Sequence, residues 1–312
     1  MGQRPIILGV VGDSAAGTTT LSRGIREAIG ADRVTVICTD DYHKYNRKQR
    51  KELGITALHP DCNYIDIMEQ HLRLLREGQP ILKPVYNHRT GDFDPPEYVQ
   101  PTEFVIVEGL LAYHTRAMRE CFDVKVYLDP PEELRRVWKI RRDTAKRGYT
   151  VEQVLDALRK REQDSAQFIR PQRKYADIVV RFYPPPGVAP DAANGNLNVR
   201  LILRPTIPHP DMTELLEYAG GPEQPPIRLI LGRDGARPVD ILEIDGGVSH
   251  VQAEELENLI WQHMPPNISM RPERLGIYLN GTREEKSDPL ALVQLLLAYH
   301  LFVARDMPHM VR

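Results

Sequence analysis

Hydrophobic positions along this chain follow two alternating rhythms. Short uninterrupted apolar runs, rich in Val and Ile, recur at Ile6–Val11, Val34–Cys38, Phe104–Val107, Val124–Leu128 and Ile178–Val180. Each predicts a strand buried on both faces. Between them the apolar residues return every three or four positions. Leu21, Ile25, Ala28 and Ile29 do so before Gly30, and Ile67, His71, Leu74 and Leu75 do so within Asp66–Arg76 before Gly78. Further helices are predicted at Glu132–Arg147, ended by Gly148, and from Val151 to about Gln167, opened by a Thr150/Gln153 capping box. Strand and helix in alternation imply a mostly parallel sheet flanked by helices. Residues 83–96, proline-rich and polar, predict a long loop.

The rhythm breaks at Pro184–Gly187 and again at Asp191–Asn196. We therefore expect a first domain over residues 1–183, a linker over 184–198 and a C-terminal α+β extension over 199–312. Val199–Leu203, Ile227–Leu231 and Val239–Ile244 predict its strands, and Val251–Met264 and Pro289–Arg305 its helices. The extension carries no catalytic constellation and is expected to add strands to the sheet or to build an oligomer surface.

Three of the predicted strands end alike. The first runs into Gly12-Asp13-Ser14-Ala15-Ala16-Gly17-Thr18-Thr19-Thr20, the Gly-x-x-x-x-Gly frame of a phosphate-binding loop set between strand and helix. Glycines there let backbone amides turn inward, and the helix beginning near Thr18 offers its positive end to the same anion. This segment is a candidate nucleotide-binding loop, with Thr19 in the hydroxyl position that contacts Mg²⁺, in a P-loop NTPase-like α/β fold. The lysine position holds Thr18, and a tight glycine turn in the core would use the same residues. The second strand ends at Asp40 and Asp41, the third at Glu108 and Gly109. Carboxyl ends of neighbouring parallel strands open on one edge, where such sheets bind ligands. Helix capping or a solvated turn would also suit Asp40 and Asp41.

Charge sharpens this picture locally. A net charge of −2 with 27% charged residues argues against a general partner for nucleic acid or anionic membranes. The segment Glu132–Arg147 is nevertheless strongly basic. Arg135, Lys139, Arg142 and Lys146 share one helical face, with Asp143 four positions from both Lys139 and Arg147. Alone, such a face reads equally as solvated and salt-bridged. Cys38, Cys62 and Cys121 show no C-x-x-C or His pairing, which suits a reducing cytosol better than a disulfide scaffold or structural zinc. The start lacks a signal-peptide apolar core, and the apolar segment Leu290–Val303, interrupted by Gln294 and His300, falls short of a bilayer span. A soluble cytoplasmic protein is expected.

Several separate motifs resemble phosphoribulokinases. They are Cys38-Thr39-Asp40-Asp41-Tyr42-His43, Asn87-His88-Arg89-Thr90-Gly91, Val105-Ile106-Val107-Glu108-Gly109-Leu110, Trp138-Lys139-Ile140-Arg141-Arg142-Asp143, Arg147-Gly148-Tyr149 and Pro171-Gln172-Arg173-Lys174-Tyr175-Ala176-Asp177. A thinner echo lies at Leu242-Glu243-Ile244-Asp245-Gly246. The resemblance runs from the glycine loop to about residue 183 and is nearest the plant and cyanobacterial branch. It implies transfer of the ATP γ-phosphoryl, with Mg²⁺, to the C1 hydroxyl of ribulose 5-phosphate. By the same resemblance Asp40 is the general base, and Arg47 and Arg147 bind the sugar phosphate, with His43 and His88 beside them. Glu108 and Asp143 stand near Mg²⁺ and the reacting phosphate, and Lys139 and Arg142 are cations at the transferring phosphoryl. A homodimer is the expected assembly.

Two departures accompany the resemblance. Thr18 replaces the loop lysine of the plant-like branch, and Ala16 stands where plant enzymes carry a regulatory cysteine whose partner position is Cys38. Two other functions fit the glycine loop: a uridine-kinase-like enzyme acting on another small alcohol, and a non-catalytic nucleotide sensor. Retention of Asp40, Glu108 and Asp143 weighs against the sensor. The spacing of Asp40 and Arg47 favours a phosphorylated sugar, because Arg suits planar recognition of phosphate.

Overall fold

The computed structural model describes residues 4–193, 195–219, 225–265 and 273–306. Strand β1 (Ile6–Gly12) is buried along its whole length and leads through the glycine loop into helix α1 (Thr18–Ile29). Leu21, Ile25, Ala28 and Ile29 of α1 all face the core, as their spacing requires. After β2 (Val34–Cys38) come a 3₁₀ turn at Thr39–Tyr42, then α2 (Arg47–Leu53) and α3 (Ile65–Arg76). Next are β3 (Ile81–Asn87), β4 (Asp92–Val99), β5 (Phe104–Gly109), α4 (Arg116–Glu120) and β6 (Val124–Leu128). Helices α5 (Glu132–Arg147) and α6 (Val151–Asp164) precede β7 (Ile178–Tyr183).

Strands β2, β5, β1, β6 and β7 lie side by side and parallel, in that order. Beyond them the chain continues through β8 (Asn198–Leu203), α7 (Thr213–Ala219), β9 (Ile227–Asp234) and β10 (Arg237–Ile244). It then forms α8 (His250–Gln262), β11 (Ile277–Asn280), β12 (Arg283–Lys286) and α9 (Asp288–Asp306). β8 pairs antiparallel with β7, β10 with β8 and β9 with β10, so the later strands extend the same sheet to eight. Residues 184–197 carry no described helix or strand, and β8 begins at Asn198. Within the expected linker Asn194 lies outside the described residues, as do 220–224, 266–272 and 307–312 of the expected extension.

By length and composition α9 could cross a bilayer, which the shorter stretch 290–303 did not suggest. Here it is a core helix that packs against α1 and α8. Its Gln294, fully buried, donates to the Thr20 carbonyl (3.1 Å) and accepts from the Gly276 amide (2.8 Å). The C-terminal helix is thereby tied to the first turn after the glycine loop.

Residues 83–96 are not the long loop their composition predicts. They belong to the antiparallel hairpin β3–β4, which stands apart from the main sheet. Proline cannot donate to a ladder and is tolerated on exposed strands and at irregularities. The register slips at Pro84, between Lys83 and Val85, and Pro95 and Pro96 lie on the exposed strand β4. The basic stretch after His43 also hides a helix. Asn46 and Gln49 form a reciprocal capping box that starts α2. Helix α6 ends at Asp164, short of its predicted end near Gln167, and passes into a π turn at Ser165–Ile169.

Candidate active site

Register brings the three strand endings together. Cys38 pairs with Glu108, and Glu108 pairs with Val10. The turns carrying Asp40, Glu108 and the glycine loop therefore open side by side on one edge of the sheet.

The loop has the backbone of an anion cradle. Gly17, at φ 102°, caps α1 without any side-chain hydrogen bond, so the first-turn amides of the helix stay free of a protein acceptor there. Gly12 is required by close approach, since a Cβ there would lie 2.9 Å from that of Ala16 and 3.0 Å from the Leu128 carbonyl oxygen. Ala15 holds φ 71°, the one non-glycine positive value among the described residues. Such strain persists only where the surroundings enforce it.

Those surroundings are polar. The Asp13 carboxylate, nearly buried, accepts from the Ser14 amide (2.6 Å) and takes a short hydrogen bond from the Ser165 hydroxyl in the π turn. Arg135 of α5 donates to the Ser14 carbonyl (2.8 Å) and sits 3.5 Å from Asp13. Lys139, one turn further along α5, is 1% exposed and donates to the Ser14 hydroxyl (3.1 Å). The basic face of α5 is therefore packed onto the loop at Arg135 and Lys139 and reaches solvent at Arg142, in part, and at Lys146. Burial, with Arg161 and Arg142 nearby, pulls the Lys139 ammonium down to about 7, although Asp143 opposes the shift.

Asp40 and Asp41, adjacent in sequence, take different roles. Asp41 accepts from Lys83 Nζ (2.5 Å) and from the Tyr86 amide (3.0 Å), which anchors the hairpin to the 3₁₀ turn. Asp40 keeps a buried Oδ1 without a hydrogen-bond partner, while His88 Nε2 lies 3.5 Å from Oδ2. Burial pushes the Asp40 carboxyl up, yet His43, His88, Arg147 and Arg161 together hold it below its ordinary value. It is an ionised carboxylate with a free acceptor facing the site.

Glu108 behaves in the opposite way. Burial, reinforced by Asp40 and Asp41, lifts its carboxyl to about 7 against the pull of Thr19 and Thr18, and its Oε2 has no partner. A carboxylate this short of positive charge, next to the loop hydroxyls, fits a divalent cation. Asp143, expected beside it, is engaged elsewhere. Its Oδ2 meets Lys139 (3.2 Å), and its Oδ1 meets Arg142 (2.8 Å) and Arg147 (3.6 Å). With both oxygens taken by cations, its geometry organises the basic side chains and offers a metal no free oxygen. Among the described residues no three His, Cys, Asp or Glu side chains form a metal cluster, so a cation here would draw on Thr19, Glu108 and its own ligands.

The remaining expected residues gather around Asp40. His43 is buried, with Nδ1 held by the Asn63 side chain (2.7 Å), and burial lowers its pKa and that of His88. Arg47 lies exposed at the rim and donates to the His88 carbonyl (2.5 Å). Sequence reasoning missed Arg50, which donates to the Tyr86 hydroxyl and the Tyr45 carbonyl (2.6 Å each) and stacks on the Tyr86 ring. It also missed Arg161 of α6, hidden in a run of charged residues. The capping signal at Asn46/Gln49 would have revealed the helix that carries Arg50.

A sequence profile of the phosphoribulokinase / uridine kinase family matches residues 7–189. The chain belongs to this family. The phosphoribulokinase of Synechocystis sp. is 36% identical over 271 residues, covering 83% of this chain and 80% of that one. A uridine kinase of Oceanobacillus iheyensis is 33% identical over 185 residues, covering 57% of this chain and 87% of its own. Among solved structures, a Rhodobacter phosphoribulokinase superposes with a TM-score of 0.58 at 21% identity, over 83% of this chain and 96% of that one. That likeness establishes the shared fold, a mostly parallel P-loop kinase sheet flanked by helices. Within the family, similarity to phosphoribulokinase reaches into the C-terminal half, whereas similarity to the uridine kinase covers little more than half of the chain.

Proposed function

We propose that the protein is a phosphoribulokinase, which transfers the γ-phosphoryl of ATP to the C1 hydroxyl of ribulose 5-phosphate to give ribulose 1,5-bisphosphate. The observation that carries the reading is Asp40, an ionised carboxylate with an unpartnered buried oxygen on the sheet edge beside the glycine loop. Such a group is placed to accept the hydroxyl proton as the oxygen attacks phosphorus. Asp41 cannot share this role, because Lys83 and the Tyr86 amide occupy both of its oxygens.

Phosphoryl transfer asks little covalent help of a protein and much positioning and charge stabilisation. The amides from Gly12 to Thr20 hold the nucleotide phosphates. Lys139, delivered to Ser14 from α5, supplies the charge that Thr18 does not, with Arg142 beside it. Asp143 keeps these cations oriented. His43, His88, Arg47 and Arg147 line the sugar-phosphate side. Thr19 and Glu108 would hold Mg²⁺, which neutralises charge on the phosphate oxygens when bound. In this reading residues 1–183 form the kinase domain, joined by 184–198 to the extension 199–312, and the enzyme is a cytoplasmic homodimer.

The test is coupled ADP release from purified protein with ribulose 5-phosphate, uridine or no acceptor. Turnover confined to ribulose 5-phosphate, and dependent on ATP and Mg²⁺, is expected. Equal use of uridine, or of ribulose lacking its phosphate, would transfer the protein to the uridine-kinase-like side of the family.

A further inference from the structure

The cations around the site are nearly all accounted for by protein partners. Arg135 is held by Glu132 and the Ser14 carbonyl, Lys139 by Ser14 and Asp143, and Arg142 by Asp143. Arg50 is held by two oxygens, and Arg47 by the His88 carbonyl. Arg161 is the exception, since among the described residues it makes no hydrogen bond and no ion pair. Its neighbours on the same helix behave otherwise: Arg159 and Lys160 lie exposed and pair with Asp156 on the outer face. Arg161, half-buried, lines a narrow cleft with Ser14 and Lys139, where Asp13 is already engaged by Ser14 and Ser165, and Glu162 by Arg170.

A guanidinium held half-buried in a narrow cleft without a hydrogen bond or ion pair loses part of its hydration with no visible return for the fold. Burial lowers the pKa of Arg161, and Arg142 and Arg50 add repulsion, against attraction from Asp40 and Asp143. A guanidinium stays charged regardless. Its missing partner is therefore an anion that arrives with the substrates. Two anions come to this site, the transferring phosphoryl and the phosphate of the sugar. Position decides between them. Arg161 lines the loop-side cleft together with Ser14 and Lys139 and is attracted by Asp40 at the acceptor side, which favours the phosphoryl group that moves between the two.

We propose that Arg161 is a catalytic residue that contacts the transferring phosphoryl group and, with Lys139, replaces the cation missing at Thr18. The inference rests on the reading of the site as a phosphoribulokinase. Arg is suited to the task, because its planar fork can follow two phosphoryl oxygens at once. It reaches the phosphoryl from α6, while Lys139 comes from α5, so the two helices must both be seated before the charge is complete.

The test uses full-length wild type, Arg161→Ala, Arg161→Met and Arg161→Lys, compared on whichever acceptor the wild type phosphorylates. Arg161→Ala and Arg161→Met are expected to lose about 100-fold or more in kcat, the range for removing one charge-stabilising donor, with KM for the acceptor within about 3-fold. Arg161→Lys should recover only a small part. Thermal unfolding should show no loss of stability in the Met variant, because the side chain it replaces has no protein partner. Near-normal kcat in the Ala and Met variants, or a loss confined to the acceptor KM, overturns the assignment. A wild type that turns over ribulose 5-phosphate beside unaffected variants refutes the role of Arg161 alone. A wild type that prefers uridine refutes the acceptor assignment and leaves the comparison of kcat values in force.

Discussion

The ammonium of Lys139 on α5 lies 3.1 Å from the hydroxyl of Ser14 in the glycine loop, with 124 residues of chain between them. A loop that lacks its own lysine at Thr18 thus receives one from another helix. Lys139→Met is expected to lower kcat by about two to three orders of magnitude. Thr18→Lys should rescue it weakly, because the new amine would approach from the loop side. The alkaline limb of kcat/KM reports the free enzyme. With Lys139 near 7 and active only when charged, activity should fall as pH rises through about 7. In Lys139→Arg that limb should vanish, since a guanidinium does not titrate there. A limb unchanged in the Arg variant would assign it to another group.

Asp40 and Asp41 give a paired test of base against anchor. Asp40→Asn should lower kcat by roughly two to four orders of magnitude, the range for loss of a general base. Asp41→Asn should instead destabilise the fold by about 1–3 kcal/mol, as buried partners on Lys83 and Tyr86 lose their charged acceptor. Arg47→Ala should mainly raise KM for the sugar phosphate, its contact being equal in ground and transition states. Steady-state kinetics and urea unfolding on the three variants check all three outcomes.

Glu108 makes stability depend on pH. Its carboxyl stands at about 7 in the folded chain against an ordinary 4.5, so the fold favours the protonated form. This contribution is fully present below pH 4.5 and is lost as pH rises through 7, leaving a penalty of about 3 kcal/mol at pH 8. Glu108→Gln should therefore be more stable than wild type at pH 8 by up to about 3 kcal/mol in metal-free buffer, with the gap closing towards pH 5. The same variant should lose most Mg²⁺-dependent turnover. Denaturant titrations at several pH values read the gap directly, and a gap that does not change with pH would contradict the burial argument.

Redox control should be absent. Ala16 is buried in the loop where a second thiol would be needed, and Cys38, Cys62 and Cys121 are all free. Burial, with Asp40, Glu108 and Asp41 close by, also pushes the Cys38 thiol well above its ordinary range, away from the reactive thiolate. Activity should be equal after oxidised and reduced thioredoxin. A reversible loss on mild oxidation that disappears in Cys38→Ser would overturn this expectation.

The parallel half of the sheet, the glycine loop and the carboxylate at each strand end were legible in the amino-acid order, because each depends on residues a few positions apart. Apolar runs make buried strands, repeats of three and four make helices, and two glycines frame an anion loop. Local signals were weaker where the outcome depended on a partner far along the chain. Nothing adjacent to Pro84, Pro95 and Pro96 announces a hairpin, whose strands pair with each other and are anchored by Asp41 through Lys83 and the Tyr86 amide. The family motifs name Asp40 as the base, but only the fold shows why it is free and Asp41 is not. A basic stripe on α5 reads equally as solvated or functional until packing buries Arg135 and Lys139 against Ser14. Arg161 is the extreme case. In the sequence it is one charge in a charged run, and only the turn of α6 towards the loop leaves it half-buried in a cleft with no hydrogen bond or ion pair among the described residues. Charge interactions are set by distance and burial, and both are properties of the tertiary structure.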